Sequence, residues 1–139
     1  MTDRSVRPHG HYGPAMDAAA LNDLADHLFD AFVAHDLDKV VEMMTPDAVV
    51  VQNGNSMTVP DAMVMIGSLV DVIGDHRYEE VRRVVGEQAI VEEHRVRSTT
   101  PGGHDVDLVA CVVVRVDDDG KITSLDEYVD TSPLAAVLT

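Results

Sequence analysis

The chain has 139 residues, 45% of them hydrophobic and 25% charged, with a formal net charge of -15 and a single cysteine. That length supports one domain with a core of its own, and one cysteine excludes an intramolecular disulfide, so a cytoplasmic setting is expected. The charge argues against nucleic acid or an anionic membrane as partner, since both need a basic surface, and no apolar run is long enough to cross a bilayer.

Residues 1–15 are polar and carry Pro8, Gly10, Gly13 and Pro14, the composition of a flexible arm without a secretory h-region. Residues 16–139 form the single domain. His9-Gly10-His11 brings two imidazoles together, but no third ligand accompanies them and no metal is expected. From Asp17 to His35, Leu21, Leu24, Leu28 and Phe32 recur at helical spacing beside Ala25, Phe29 and Ala31, which predicts an amphipathic helix. Asp36 is placed to cap a second short helix, Leu37 to Met44, which Thr45-Pro46-Asp47 stops. Ala48 to Gln52 reads as a strand broken by Asn53-Gly54-Asn55. Pro60 opens a third helix, to about Ile73, and Gly74-Asp75 ends it.

Four strands in series follow, 76–85, 88–99, 106–117 and 121–130, joined by turn-like Gly86-Glu87, Pro101-Gly102-Gly103 and Asp118-Asp119-Gly120. A short apolar tail, 134–138, closes the chain. This order predicts an α+β fold, a cone-shaped curved mixed or antiparallel sheet with three helices packed on its concave face. Such a cone leaves a cavity where small ligands bind. In the last strand Leu125, Glu127 and Val129 share one face, so a carboxylate lies between aliphatic neighbours on a strand that lines the core. Residues 108–114 are apolar on both faces. The helices cover only one, so the outer face is expected to pack against a second copy in a homodimer, or to be crossed by the arm or tail. Cys111 reads as a small buried hydrophobe.

Laid out this way, the chain resembles the SnoaL-like branch of the nuclear-transport-factor-2-like superfamily, and is similar to limonene epoxide hydrolase and ketosteroid isomerase. The resemblance rests on residues 35–44 (HDLDKVVEMM), Pro46-Asp47-Ala48 with Gln52-Asn53, Gly120-Lys121-Ile122, and Glu127-Tyr128-Val129-Asp130. It implies the cone fold and a range of activities, from isomerase, cyclase, dehydratase and epoxide hydrolase to non-catalytic binder. Aligned on the Pro-Gly turn, Glu93 and Arg95 fall at the Arg and Asp positions of the hydrolase, Glu127 at its last Asp and Gln52 near its Asn. The hydrolase Tyr position is Val50 or Val51, so the charge order is swapped and the Tyr is missing. The isomerase base corresponds to Gln52, and its oxyanion Asp and Tyr to Val112 and about Leu28, so that apparatus is not retained.

The same comparisons turn Leu108, Ala110, Val112 and Val114 toward the cavity. A two-residue turn at 101–104 then puts Glu93, Arg95 and Arg97 on the inner face, whereas a turn longer by one residue points Glu92, His94 and Val96 inward. The shorter turn is preferred. In that register Arg95 sits between Glu93 and Glu127, either holding one carboxylate ionised as a base while the other serves as acid, or forming an ion network that holds the sheet. His94, turned inward, would be an acid–base residue; turned outward, part of a subunit interface. His27 and His35 read as flank or cap residues, His76 and His104 as solvated strand ends. The candidate catalytic residues are therefore Glu127, Arg95, Glu93, Gln52 and His94. Phe29, Phe32, Met63, Ile66, Val70, Leu108, Ala110, Val112, Leu125 and Val129 are the candidate ligand-binding wall. The expected partner is an apolar small molecule of polyketide, terpenoid or steroid type. The expected chemistry is acid–base without cofactor or metal: isomerisation, cyclisation, dehydration or water addition. The alternative is a non-catalytic binding or assembly module.

Overall fold

Three α-helices, six strands and one 3-10 turn make up the computed structural model, which describes residues 16–137. The expectations for the arm, residues 1–15, and for the last tail residues lie outside the described residues. Helix α1 (Ala18–Val33) starts where the Asp17 carboxylate accepts a hydrogen bond from the Ala20 N–H at 2.8 Å, which satisfies one of the unpaired donors of the first turn. It buries Leu21, Ala25, Leu28, Phe29 and Ala31. His35, at φ +57, breaks the helix, and Asp36 caps α2 (Leu37–Glu42) through the Lys39 N–H.

Strand β1 (Met44–Gln52) begins four residues before the expected start and absorbs Pro46 beside an irregularity between Met44 and Val49. Asn53 and Gly54 both take positive φ, 47° and 86°, as the two central residues of a type I′ hairpin turn do. They lead directly into β2 (Asn55–Thr58), so the expected break is a hairpin and a strand. Thr58 caps α3 (Val59–Ile73) by accepting from the Asp61 N–H. Gly74 ends α3 at φ +77, so close to β4 that a Cβ there would lie 2.9 Å from the Thr99 carbonyl oxygen.

The chain then forms β3 (His76–Val85), β4 (Ala89–Thr99), β5 (Asp105–Val116) and β6 (Ile122–Val129) in one sheet of order β2-β1-β6-β5-β4-β3. β6 lies between β5, antiparallel, and β1, parallel, which makes the sheet mixed. A 3-10 turn, Ser132–Ala136, packs against β5. The fold class is the expected one: α+β, an open mixed sheet with the helices against one face.

Two local details set which side chains face inward. The first is the β4–β5 turn. Thr100 N–H donates to the His104 carbonyl at 2.8 Å, Gly103 N–H donates to the Thr100 carbonyl at 2.9 Å, and Gly103 sits at φ +89. This is a three-residue loop, a type I turn followed by a left-handed glycine. The longer of the two turns is therefore the one formed, His94 lies opposite Ala110, and Glu92 opposite Val112. The preferred register is corrected: Glu92, His94 and Val96 are buried, while Glu93, Arg95 and Arg97 lie on the outer face. The second detail is a bulge in β3. Glu79 pairs with Arg95 but Arg82 with Glu93, one extra residue being taken up at Glu80, φ +54. The bulge reverses the alternation of the strand, so Tyr78 faces inward before it and Arg83 faces inward after it.

The core is divided. A larger cluster joins α1, α2, β1 and the inner residues of β5 and β6, including Leu21, Leu28, Val50, Val112 and Leu125. A smaller one gathers Ile73, Val96, Val106, Leu108 and Leu134.

Candidate functional site

A cavity of about 280 Å³ separates the two clusters and draws its lining from both. Helix α1 contributes Phe29 and Phe32, α3 contributes Ile66 and Val70, and the sheet contributes Leu108, Val112, Leu125 and Val129, all in the expected wall. Two members of that wall do not line it. Met63 packs on the larger cluster, and Ala110, 1% exposed, is buried in the sheet opposite His94 and Val129. Met65, Leu69, Ile73 and Leu134 extend the apolar surface.

The polar groups form two poles. On the β1–β6 side, Gln52 and Glu127 lie opposite each other in the parallel register, and the Gln52 side-chain amide donates to Glu127 Oε1 at 3.0 Å. The alternation of β6, with Leu125 and Val129 flanking Glu127 on the inner face, is as the sequence predicts. The expected bridge from Arg95 is absent. Arg95 faces outward and pairs with Glu80 at 3.0 Å and Asp107 at 3.1 Å, while Glu93 pairs with Arg82 at 3.4 Å. These two candidates therefore lie on the far side of the sheet from the cavity.

On the β3–β4 side a chain of ionisable groups runs from the buried His94 and Glu92 out to the exposed Asp26. His94 lines the cavity, 3% exposed, and its Nδ1 lies 2.5 Å from Glu92 Oε2. Glu92 is 1% exposed, and its other oxygen accepts from Arg83 Nε at 2.6 Å. Arg83 continues to Asp26 Oδ1 at 2.8 Å and to the Asn22 carbonyl on α1. A carboxylate buried this deeply requires a counter-charge and filled lone pairs, and Arg83 and His94 supply both. Burial opposes the charge on Arg83, but its hydrogen bonds to Glu92 and Asp26 prevail and raise the guanidinium pKa. With Nδ1 engaged by the carboxylate, Nε2 is the imidazole nitrogen left for a ligand.

Tyr78 lies beside this dyad. Its ring is 4.3 Å from that of His94, and Phe29 meets both edge-on at 5.3 Å. Burial, followed by the carboxylates of Glu127 and Glu92, pushes the phenol far above its ordinary 10.0, so Tyr78 stays protonated and can only donate or weakly accept. Gln52 and Glu127 line the same cavity as Tyr78 and His94, so the two poles face a common space. His76 lines the cavity too, stacked on His35 at 6.0 Å and edge-on to Tyr78 at 5.0 Å. Its expected place as a solvated strand end is corrected, whereas His27 and His104 are exposed as anticipated. Glu92, Tyr78, Arg83 and His76 are the site residues that sequence reasoning did not select. Among the described residues no group of three His, Cys, Asp or Glu is arranged to hold a metal ion.

This architecture is matched by known proteins. The SnoaL-like domain profile covers residues 25–125. The chain belongs to the SnoaL-like family. Among solved structures, AclR of Streptomyces galilaeus, a candidate hydroxylase, superposes with a TM-score of 0.79 at 18% identity, over 87% of this chain and 82% of that one. A candidate SnoaL-like polyketide cyclase from Shewanella putrefaciens gives 0.72 at 14% identity, over 84% and 94%. IdmH of Streptomyces antibioticus, a candidate polyketide cyclase, gives 0.73 at 20% identity, over 84% and 96%. At these identities the SnoaL-like backbone is what is shared. No curated protein matches the sequence.

Proposed function

We propose that this SnoaL-like protein binds an apolar small molecule of polyketide or terpenoid type in its cavity and moves a proton on it without a cofactor. The single observation behind this reading is the His94–Glu92 dyad, buried, charge-compensated by Arg83 and opening onto an apolar cavity through His94. In the reaction His94 Nε2 takes or returns the proton while Glu92 fixes the ring and stabilises the imidazolium. Tyr78 donates to the oxygen on which charge develops. Glu127, held by Gln52, receives or supplies the second proton across the cavity. Isomerisation, cyclisation, dehydration and water addition all need this pair of transfers. At about 280 Å³ the cavity lies at the small end of ligand pockets, which favours one- or two-ring compounds over a four-ring steroid.

The test is α-hydrogen exchange. A two-ring ketone such as 2-tetralone is followed by NMR in D2O with wild-type protein, H94N and E92Q. Exchange above the buffer rate is expected with wild type, reduced roughly 100-fold or more in H94N and strongly in E92Q. Equal rates in all three would end the acid–base reading. Saturable binding with no exchange would favour the non-catalytic binder, a reading supported by the way Gln52–Glu127 and His94–Glu92 already satisfy one another.

A further inference from the structure

The charge inventory of the cavity goes beyond the proton-transfer reading, although it rests on the same cavity being the ligand site. Among the described residues, no lysine or arginine lines it. Arg83 is spent on Glu92 and Asp26, and Arg95 and Arg97 point away on the outer face. The carboxylate of Glu127 does line it, with one oxygen on the neutral Gln52 amide and no cation within salt-bridge distance among the described residues. From these observations we infer that Glu127 sets ligand specificity: the cavity takes a one- or two-ring ligand presenting a hydrogen-bond donor, hydroxyl or ammonium, to Glu127 Oε2, and rejects carboxylates.

The selectivity is electrostatic. An anionic ligand would lose its hydration, meet the Glu127 carboxylate in a largely apolar space and find no lysine or arginine to pair with, the His94 imidazole being already held by Glu92. A hydroxyl finds an acceptor whose hydrogen bond is charge-assisted, and an ammonium gains the full attraction, less screened than at the surface. Phe29, Phe32 and Tyr78 in the wall tolerate a cation against their rings. The opposite pole, Tyr78 O–H with His94, suits a carbonyl oxygen on the same molecule. The ligand is thus polarised, donor at one end and acceptor at the other, along the line between the two poles.

Three probes of one ring system test this on the full chain by titration calorimetry at pH 7: 2-naphthol, 2-(aminomethyl)naphthalene and 2-naphthoate. Wild type is expected to bind the ammonium about tenfold or more tightly than the carboxylate, with the naphthol between them. In E127Q, whose melting temperature is checked first, the ratio is expected to fall to about threefold or less. Naphthoate binding as well as the ammonium in wild type would overturn the inference, and that ranking depends on no variant. So would a preference that survives E127Q, since it would then come from the overall negative charge, and so would failure of all three probes to bind. Failure of the acid–base reading looks different: binding without hydrogen exchange, with the charge ranking intact.

Discussion

His76 illustrates how a single residue carries the energetics of the site. Burial holds its pKa below the ordinary 6.5, the nearby His35 and His94 lower it further, and Asp75 partly opposes them. The fold thus accepts the neutral ring. Above about pH 6.5 the unfolded chain also holds it neutral and nothing is lost. As the pH falls below that value the unfolded state takes up a proton that the folded state resists, so stability declines toward acid. Replacing the ring by H76F is expected to flatten the fall in melting temperature between pH 7 and pH 5 relative to wild type. Parallel curves would show that His76 does not contribute to the acid sensitivity. The same neutral ring leaves the polar work of that wall to His94 and Tyr78.

Turns and bulges decide what the strands present. Gly103 and Gly74 both sit at positive φ, but only Gly74 is also crowded, by the Thr99 carbonyl. G103A should therefore cost about 1 kcal/mol of backbone strain, and G74A roughly 3 kcal/mol, since α3 or β4 must shift as well. Chemical denaturation of the two variants measures the difference, and equal losses would contradict the close approach. These elements also explain what could be read in advance. The inner face of β6 was legible because Leu125 and Val129 bracket Glu127 with apolar residues. The helices were legible from their periodicity and caps. β4 was not, because Glu92, Glu93, His94 and Arg95 are polar in both phases, and only the turn decides between them. Pro101 at the first position of a type I turn and Gly103 at the left-handed third position were the signal for the longer loop. In β3 the doublets Glu79-Glu80 and Arg82-Arg83 give the same residue types to both faces, so a bulge between them leaves no trace in the pattern. Arg83 was hidden for that reason, and with it the partner of Glu92. Asn53-Gly54 carried a hairpin signal that was read as a stop.

The molecule as a whole leaves an apolar strip on the outer face of its sheet: Val84 is 69% exposed, Val109 53% and Tyr128 55%, with Cys111 and Val113 half-buried beside them. Ion pairs flank it, Arg95 with Asp107 and Arg115 with Asp126. We propose that a second copy covers this strip. Two chains of net charge -15 repel each other, so the dimer should tighten as salt screens that repulsion. Sedimentation of wild type is expected to show a dimer favoured at higher ionic strength, and V109K a monomer that keeps its melting transition. A monomeric wild type at all salt concentrations would refute the interface. The place of β6 in the sheet has a further consequence. It is the last of the described strands in chain order, yet it fills the gap between β1 and β5. Without residues 122–129, the hairpin at one end and the meander at the other share no hydrogen bonds, and the valine-rich β5 is an open edge. A chain truncated before residue 122 would lack the β6 wall of the cavity and expose a template for aggregation, so the same strand completes the cavity and closes the open edge of β5.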